Sequence, residues 1–189
     1  MTRFQSKYIQ LIKNYIKSSN GIKRGSTVFQ GTLYEYTVMN EVSQLFDNKI
    51  SDLLKIGGSY DHGIDIVGKY LQKNTLLIQC KCFQKQKLTG KEIREFMGAV
   101  SMFKELNSIK NNDNQQVLSL IASPNLITKD GILVMNKLPI PMVYLQISKL
   151  KVDTFATQGI KPMTGKIIAM YENDCSLKTY KISALHKMP

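Results

Sequence analysis

The stretch GGSYDHGIDIVGKYLQKNTLLIQCK, residues 57–81, predicts a β-hairpin around which the rest of the chain is arranged. Residues 63–68 and residues 75–82 are short apolar runs of the kind that form strands, and the polar residues 69–74 between them predict the turn. The sequence therefore predicts two antiparallel strands that form a hairpin.

The register of this hairpin places three polar side chains together. If the turn is symmetric about Gln72, Asp65 lies opposite Gln79, and directly opposed residues share a face of the sheet. Strand alternation adds Lys81 to that face. A carboxylate, an amide and an ammonium group within an apolar hairpin require partners, because buried polar groups without them are costly.

A metal site for phosphodiester hydrolysis accounts for this combination. Asp65 offers a hard oxygen ligand for Mg²⁺, and Gln79 offers a neutral amide oxygen beside it. Lys81 is a cation that can orient or activate the attacking water and stabilise the charge of the phosphorane. The structural alternative is a hairpin in which the aspartate caps a turn and the lysine reaches into water. Asp65 lies between two isoleucines rather than in a turn, which favours the site.

Composition sets the domain count and the class of partner. With 189 residues, of which 43% are hydrophobic, the chain is long enough for one substantial core. Its 26 Lys and Arg against 14 Asp and Glu give a formal charge of +12, which favours a nucleic-acid partner over a role in solubility alone. No apolar run approaches the length of a membrane span.

Cysteine usage predicts a reducing compartment. Cys80 and Cys82 flank Lys81 and are expected on the opposite, core-facing side of the strand, where free thiols pack as small hydrophobic groups. A zinc site would need two more ligands from Cys175 and the two histidines, so zinc is not expected.

The first 34 residues are basic, with no acidic residue before Glu35. Apolar residues recur in this segment at helical spacing and predict a basic amphipathic helix: Phe4, Tyr8, Leu11, Ile12 and Tyr15. Three interpretations remain open, namely a mitochondrial transit peptide, a DNA-contacting arm and an ordinary packed helix.

Helical and strand patterns continue on both sides of the hairpin. A helix is predicted after Gly31, with Glu35 in its first turn at the border of the buried face. A capping box at residues 89–92 predicts a helix that runs to about Leu106. Further predicted elements are strands at 53–56, 117–122, 141–147 and 165–171, a short helix from Thr128 to about Leu138, and a strand or helix at 177–185.

The pattern Gly-Gly-x-x-Asp-x-Gly-x-Asp-Ile followed by Gln-x-Lys resembles the PD-(D/E)XK nuclease superfamily, in particular its Mrr-like branch. The resemblance implies an α/β, restriction-endonuclease-like fold with a mixed central sheet flanked by helices. It also implies a catalytic set of Glu35, Asp65, Gln79 and Lys81, in which Glu35 is supplied by the helix before the hairpin. Glu35, Asp65 and the backbone carbonyl of Cys80 would hold Mg²⁺, for which Mn²⁺ can substitute.

The predicted substrate is DNA, and the chain is predicted to be a Mg²⁺-dependent endonuclease. Candidate phosphate contacts are Lys85, Lys87, Lys91, Arg94 and His62. RNA is an alternative, since phosphate contacts carry no sequence information. A second alternative is a nuclease fold that binds nucleic acid without cleaving it, because the neutral Gln79 removes one negative charge from the metal site.

A closer resemblance is to the fungal mitochondrial family called required for respiratory growth protein 7, over roughly residues 26–145. It is carried by residues 26–39, the Gly-Gly-x-x-Asp motif and residues 78–83, 87–88 and 141–145. The resemblance implies a mitochondrial matrix location and a role in respiratory growth and mitochondrial genome maintenance. We expect a basic segment at 1–25, a nuclease core at 26–147 and an extension of the same domain at 148–189, which covers a sheet edge or forms a homodimer contact.

Overall fold

The computed structural model describes residues 3–19, 25–56, 63–111, 116–150 and 165–185. The helices are α1 (Arg3–Ser18), α2 (Thr27–Phe46), α3 (Gly90–Asn111), α4 (Lys129–Lys137), α5 (Asp174–Thr179) and α6 (Ile182–Leu185), and a short 3-10 turn (Asp47–Lys49) follows α2. The strands are β1 (Ile50–Lys55), β2 (Ile66–Tyr70), β3 (Asn74–Cys80), β4 (Val117–Ser123), β5 (Met142–Ile147) and β6 (Ile167–Glu172).

The six strands form one mixed sheet in the order β1-β2-β3-β4-β5-β6. The first three strands are antiparallel neighbours, β3, β4 and β5 are parallel, and β6 returns antiparallel to β5. The prediction of an α/β fold with a mixed sheet flanked by helices is therefore confirmed. Every residue of β4 is buried, as expected for a parallel strand that is covered on both faces.

The two crossover helices fix which layer covers each face of the sheet. The β3–α3–β4 and β4–α4–β5 connections advance in the same direction, and crossovers of uniform hand place both helices on one face. Phe96 of α3 and Met135 of α4 pack there against Leu77 and Ile121. The other face is left for α2, whose Val38 packs in a second cluster with β2, β3, β4 and β5.

The hairpin is confirmed, and its register is the one predicted. Ile66 pairs with Ile78 and Val67 with Leu77, so the next pair of the ladder would be Asp65 and Gln79. The boundaries differ from those predicted, because the strands extend toward the turn as far as Tyr70 and Asn74 while β2 does not begin until Ile66. Residues 57–62, with Asp61 and the predicted phosphate contact His62, lie outside the described part of the chain.

Helix α2 begins earlier than predicted, and the placement of Glu35 in its first turn was wrong. Ser26 caps the helix, with its hydroxyl accepting a hydrogen bond from the Phe29 backbone N–H at 3.2 Å. This cap starts the helix at Thr27, so Gly31 lies inside it and Glu35 lies two turns from its start. A favourable interaction with the helix dipole at the N-terminus therefore does not explain why a glutamate is at position 35.

The basic amphipathic helix at the N-terminus is present as α1 and packs against α2. Tyr8 and Ile12 are buried, and the Tyr15 and Phe29 rings stack with centroids 5.4 Å apart. This contact is the one expected of a packed helix.

Helix caps after the hairpin form as predicted. The Glu92 carboxylate accepts hydrogen bonds from the backbone N–H and the hydroxyl of Thr89, which together start α3. Thr128 caps α4 through the Gly131 N–H at 3.1 Å. Helix α3 continues to Asn111, beyond the predicted end near Leu106.

The C-terminal extension covers an edge of the sheet. Strand β6 lies beside β5, and the ambiguous residues 177–185 contain the end of α5 and all of α6. Asn173 joins this extension to the core: its amide donates to the Met135 and Ile140 carbonyls, and its oxygen accepts from the Met142 and Ser176 N–H groups. None of the described helices is long and apolar enough to cross a membrane.

We expect Asn173→Ala to lower the free energy of unfolding by about 2–5 kcal/mol, because it leaves several buried backbone groups without partners. Urea unfolding followed by circular dichroism measures this change. Thr179→Ala is the matched control, since its exposed hydroxyl bonds only the local Cys175 carbonyl among described groups, and a similar loss in both variants would contradict the prediction.

Candidate active site

Glu35 projects from α2 toward β1, where it forms an ion pair. Its Oε2 lies 2.9 Å from the Nζ of Lys55, and the two side chains are only 15% and 22% exposed. Desolvation lowers the pKa of Lys55, but the hydrogen bond and charge of Glu35, with smaller contributions from Tyr36 and Asp65, raise it above its ordinary value. Lys55 is therefore held in its charged form.

Asp65 lies just before β2, where the regular pairing between β2 and β3 ends. Its backbone N–H donates to the Ile78 carbonyl at 3.0 Å, and its own carbonyl accepts from the Ile56 N–H at 2.9 Å. The carboxylate then takes the Cys80 backbone N–H, with 2.6 Å between Cys80 N and Asp65 Oδ2. The Asp65 carboxylate thus accepts the hydrogen bond that a backbone carbonyl would accept in a regular ladder at the end of β3.

Cys80 brings the two carboxylates into one electrostatic environment. Burial raises the pKa of the Cys80 thiol well above its usual value, and the negative charges of Asp65 and Glu35 raise it further. Both carboxylates also raise the pKa of Lys55. Glu35 and Asp65 therefore act on the same two neighbours, Cys80 and Lys55.

Gln79 is 4% exposed, and its two amide atoms have different surroundings. Its Nε2 donates to the Gly63 carbonyl at 2.7 Å, whereas its Oε1 is buried without a hydrogen-bond partner among the described residues. Gly63 has a φ of +81°, and a Cβ at that position would lie 3.1 Å from the Gln79 amide nitrogen. Glycine is thus required where the chain enters the hairpin.

Lys81 follows β3 and reaches α3. Its Nζ lies 3.6 Å from Glu95 Oε2, and its side chain is 23% exposed. Glu95 also lies 3.7 Å from the ammonium of Lys91, so two lysines share one carboxylate. Gln79 and Lys81 face α3, whereas Cys80 packs with the core beneath α2.

The structure thus divides the predicted catalytic set. Glu35 and Asp65 both act electrostatically on Cys80, and Gln79 and Lys81 lie on the face of the strand opposite the Cys80 side chain. The predicted phosphate contacts Lys85, Lys87, Lys91 and Arg94 are all exposed, in the segment from the β3–α3 loop to the start of α3. They form a basic rim next to Lys81.

The oxygen donors at this site fit a magnesium ion. Within the described ranges, no group of three or more His, Cys, Asp and Glu side chains is placed to hold a metal. Mg²⁺ needs fewer protein ligands, since it is held by one or two carboxylates with waters and substrate phosphate. Glu35 and Asp65 supply two carboxylates, and the unpaired Gln79 oxygen is a buried acceptor nearby in the ladder.

Sequence reasoning missed three residues that shape the site. Lys55 pairs with Glu35, Glu95 pairs with Lys81, and Asn125 fixes the basic rim by donating to the Phe83 and Gln86 carbonyls at 3.2 and 2.9 Å. Lys55 was detectable as a lysine that shares a strand face with the buried Leu53. The roles of Glu95 and Asn125 could not be recognised from the sequence, because their partners lie on other elements of the fold.

Most of the chain matches one family of known proteins. The family model described as "Required for respiratory growth protein 7" matches residues 26–76 and 71–180. A relative from Lachancea thermotolerans is 34% identical over 211 residues, covering 88% of this chain and 78% of the relative, and one from Kluyveromyces lactis is 33% identical, covering 88% and 84%. A Saccharomyces cerevisiae relative is 28% identical and covers 93% and 90%.

Each of these three relatives is named "Required for respiratory growth protein 7, mitochondrial". No solved structure was found to match the chain.

We expect Glu35→Gln to lower the pKa of Lys55, because desolvation of the ammonium remains while its main partner loses its charge. A raised pKa in the folded state stabilises the protein below the pKa of the unfolded state, and this stability is lost as pH rises through the folded value. The stability difference between wild type and variant should therefore shrink at alkaline pH above about 10.5.

Nitrogen-15 NMR of the lysine side chains measures the Lys55 titration, and chemical denaturation measures stability against pH. Glu95→Gln is the control, since Glu95 pairs with Lys81 and Lys91 instead. An unchanged Lys55 titration in Glu35→Gln would disprove the ion pair.

Proposed function

The chain belongs to the required for respiratory growth protein 7 family, and from this membership and its site geometry we propose that it is a mitochondrial, metal-dependent DNA endonuclease of the PD-(D/E)XK type. Its reaction is the hydrolysis of a phosphodiester bond with Mg²⁺ or Mn²⁺. The mitochondrial assignment follows the names of the relatives, and we place the protein in the matrix, where it would support respiratory growth by maintaining the mitochondrial genome.

One observation carries the proposal: two carboxylates, from α2 and from the start of β2, act together at the end of β3, where Lys81 emerges. A structural role explains the Asp65 bond to the Cys80 N–H but does not require a second acidic group beside it. Placing Glu35 and Asp65 together costs electrostatic energy unless a cation offsets their repulsion. Lys55 is that cation in the present structure, and a divalent ion would serve the same purpose.

The residues have distinct roles in this reaction. Glu35, Asp65 and the Cys80 carbonyl would hold the metal, which would supply Lewis-acid activation of water and phosphate. Gln79 directs its amide oxygen to the same end of the hairpin while its nitrogen remains on Gly63.

Lys81 orients the attacking water and stabilises negative charge on the phosphate. Glu95, which also pairs with Lys91, holds the Lys81 ammonium near the start of α3, and the exposed charges of the basic rim bind the neighbouring phosphates. The net charge of +12 supports binding to a polyanion.

A second candidate is a nucleic-acid-binding factor that uses the same fold without cleavage. The Glu35–Lys55 ion pair favours it, because Lys55 neutralises a carboxylate that the nuclease needs for its metal. Gln79 also contributes no negative charge to the site.

We expect purified protein to cut supercoiled or branched DNA in Mg²⁺ or Mn²⁺, and Asp65→Ala and Lys81→Met each to reduce cutting by about 10²-fold or more. DNA affinity measured without metal should change little in Lys81→Met, since many other cations contact the backbone. Lys178→Met, an exposed lysine on α5, is the matched control.

Equal loss of cutting and binding in Lys81→Met would contradict a catalytic role for Lys81. If wild type and variants all bind DNA and none cuts it, the binding-factor candidate is correct. Parallel assays with single-stranded DNA and RNA identify the preferred substrate.

We expect Mg²⁺ to raise the stability of the wild-type protein without any substrate, by about 2.7 kcal/mol at a concentration one hundred times its Kd. Asp65→Asn and Glu35→Gln should lose this stabilisation, because each removes a ligand charge. Lys55→Met should strengthen metal binding, because the ammonium no longer competes for Glu35.

Thermal unfolding across a Mg²⁺ titration measures these effects, with Glu95→Gln as the control for a general loss of acidic charge. Equal Mg²⁺ stabilisation of wild type, Asp65→Asn and Glu35→Gln would show that the metal binds elsewhere.

A further inference from the structure

A cavity of about 400 Å³ lies beside the candidate active site, on the α2 side of the sheet. The start of α2 lines it with Thr27 and Gln30, and the segment after β3 lines it with Cys82 and Lys85. Lys149, just after β5, completes the lining. We call this cavity the Lys149 pocket.

The lining has the chemistry of an anion site. Its described residues include two lysines and no carboxylate, and the Thr27 hydroxyl and the amides of Gln30 and Gln84 are potential hydrogen-bond donors. Most of its lining residues carry polar or cationic side chains, unlike the apolar and aromatic residues that line typical small-molecule pockets. Two ammonium groups facing one cavity repel each other, and an anion between them relieves that repulsion.

The Lys149 pocket is continuous with the candidate active site through Cys82 and α2. The Cys82 Sγ lies 3.6 Å from the Gln30 carbonyl oxygen, which fixes the β3 exit against α2. Burial raises the pKa of Cys82, Lys149 lowers it through a hydrogen bond and its charge, and Glu35 raises it. Cys82 therefore responds both to the lysine of the pocket and to the carboxylate of the site.

The separation along the chain suits consecutive contacts with one strand. The N–H of Cys80 binds the Asp65 carboxylate, and Cys82, two residues later, lines the pocket, so the Cα atoms of the two cysteines lie at most about 7 Å apart. A nucleic-acid strand advances by about 3.4 Å per nucleotide along its axis, so this separation corresponds to roughly two nucleotides. A strand with its reacting phosphate near Asp65 can thus place a nearby phosphate in the pocket.

We propose that the Lys149 pocket binds a backbone phosphate of the DNA strand that crosses the candidate active site, one or two nucleotides from the reacting bond. This inference rests on the proposed function for the identity of the strand. Lys149 and Lys85 provide the charge, and Gln30, Gln84 and Thr27 provide hydrogen bonds. The phosphate contact positions the strand and carries no sequence preference.

The test measures DNA binding in EDTA, so that cleavage plays no part. Fluorescence anisotropy with a labelled duplex, repeated over a range of salt concentrations, gives the slope of log K against log salt. We expect Lys149→Met, which keeps most of the side-chain length and removes the charge, to reduce the slope by about 1, and the Lys85→Met/Lys149→Met double variant by about 2. Lys149→Arg should retain the wild-type slope.

Lys178→Met is the matched control, and thermal unfolding confirms that each variant is folded. An unchanged slope in folded Lys149→Met overturns the inference even if the wild type cuts DNA. A reduced slope supports it even if the wild type does not cut, which separates it from the proposed nuclease activity. Absence of DNA binding by the wild type overturns both proposals.

A free phosphate compound, rather than a DNA strand, could supply the phosphate group that the Lys149 pocket binds. Inorganic phosphate and a mononucleotide are therefore titrated into wild type and Lys149→Met, with thermal stability as the readout. Stabilisation of the wild type at micromolar mononucleotide, together with an unchanged DNA slope in Lys149→Met, assigns the pocket to a small ligand and overturns the strand assignment.

Discussion

The hydrogen bond from the Cys80 N–H to the Asp65 carboxylate is the contact on which the candidate site depends. The β2–β3 ladder is regular up to Ile66 and Ile78, and beyond that pair the backbone of Asp65 turns to join Ile78 and Ile56. The Cys80 N–H would lose its acceptor there, and a buried N–H without one is costly. The carboxylate fills that position, so the same side chain ends the hairpin and supplies charge to the site.

The charges on each side of the end of β3 are balanced by neighbouring charges. Burial raises the pKa of the Cys80 thiol, the charges of Asp65 and Glu35 raise it further, and Lys55 remains charged beside Glu35. On the other side of β3, the Glu95 carboxylate lies between Lys81 and Lys91. Each side of the strand end therefore pairs its charges locally, and any phosphate or metal that enters must compete with an existing ion pair. Under the proposed function, a bound metal would displace Lys55 from Glu35, and a bound phosphate would compete with Glu95 for Lys81.

The sequence predicted the parts of the fold that follow from local patterns. The hairpin register followed from a symmetric turn, the buried β4 from a continuous apolar run, and the start of α3 from the capping box at Thr89. The start of α2 was misplaced because Gly31 was treated as a boundary, whereas the Ser26 cap and burial of Phe29 and Leu33 carry the helix through it. Pairings across elements, such as Lys55 with Glu35 and Asn173 with four backbone groups, need the folded chain.

The candidate site is divided between the two faces of β3, and this division limits where a substrate phosphate could bind. Consecutive side chains of a strand point to opposite faces, so Cys80 faces α2 while Gln79 and Lys81 face α3. Groups on the two faces come closest to a common ligand at the end of the strand. Lys81 follows the last residue of β3 and its N–H still bonds the Ala122 carbonyl, whereas Asn125 holds the loop beyond it. Under the proposed function, a phosphate at the end of β3 would meet the Lys81 ammonium from one side and a metal ion held by the carboxylates from the other, because bare carboxylates would repel it.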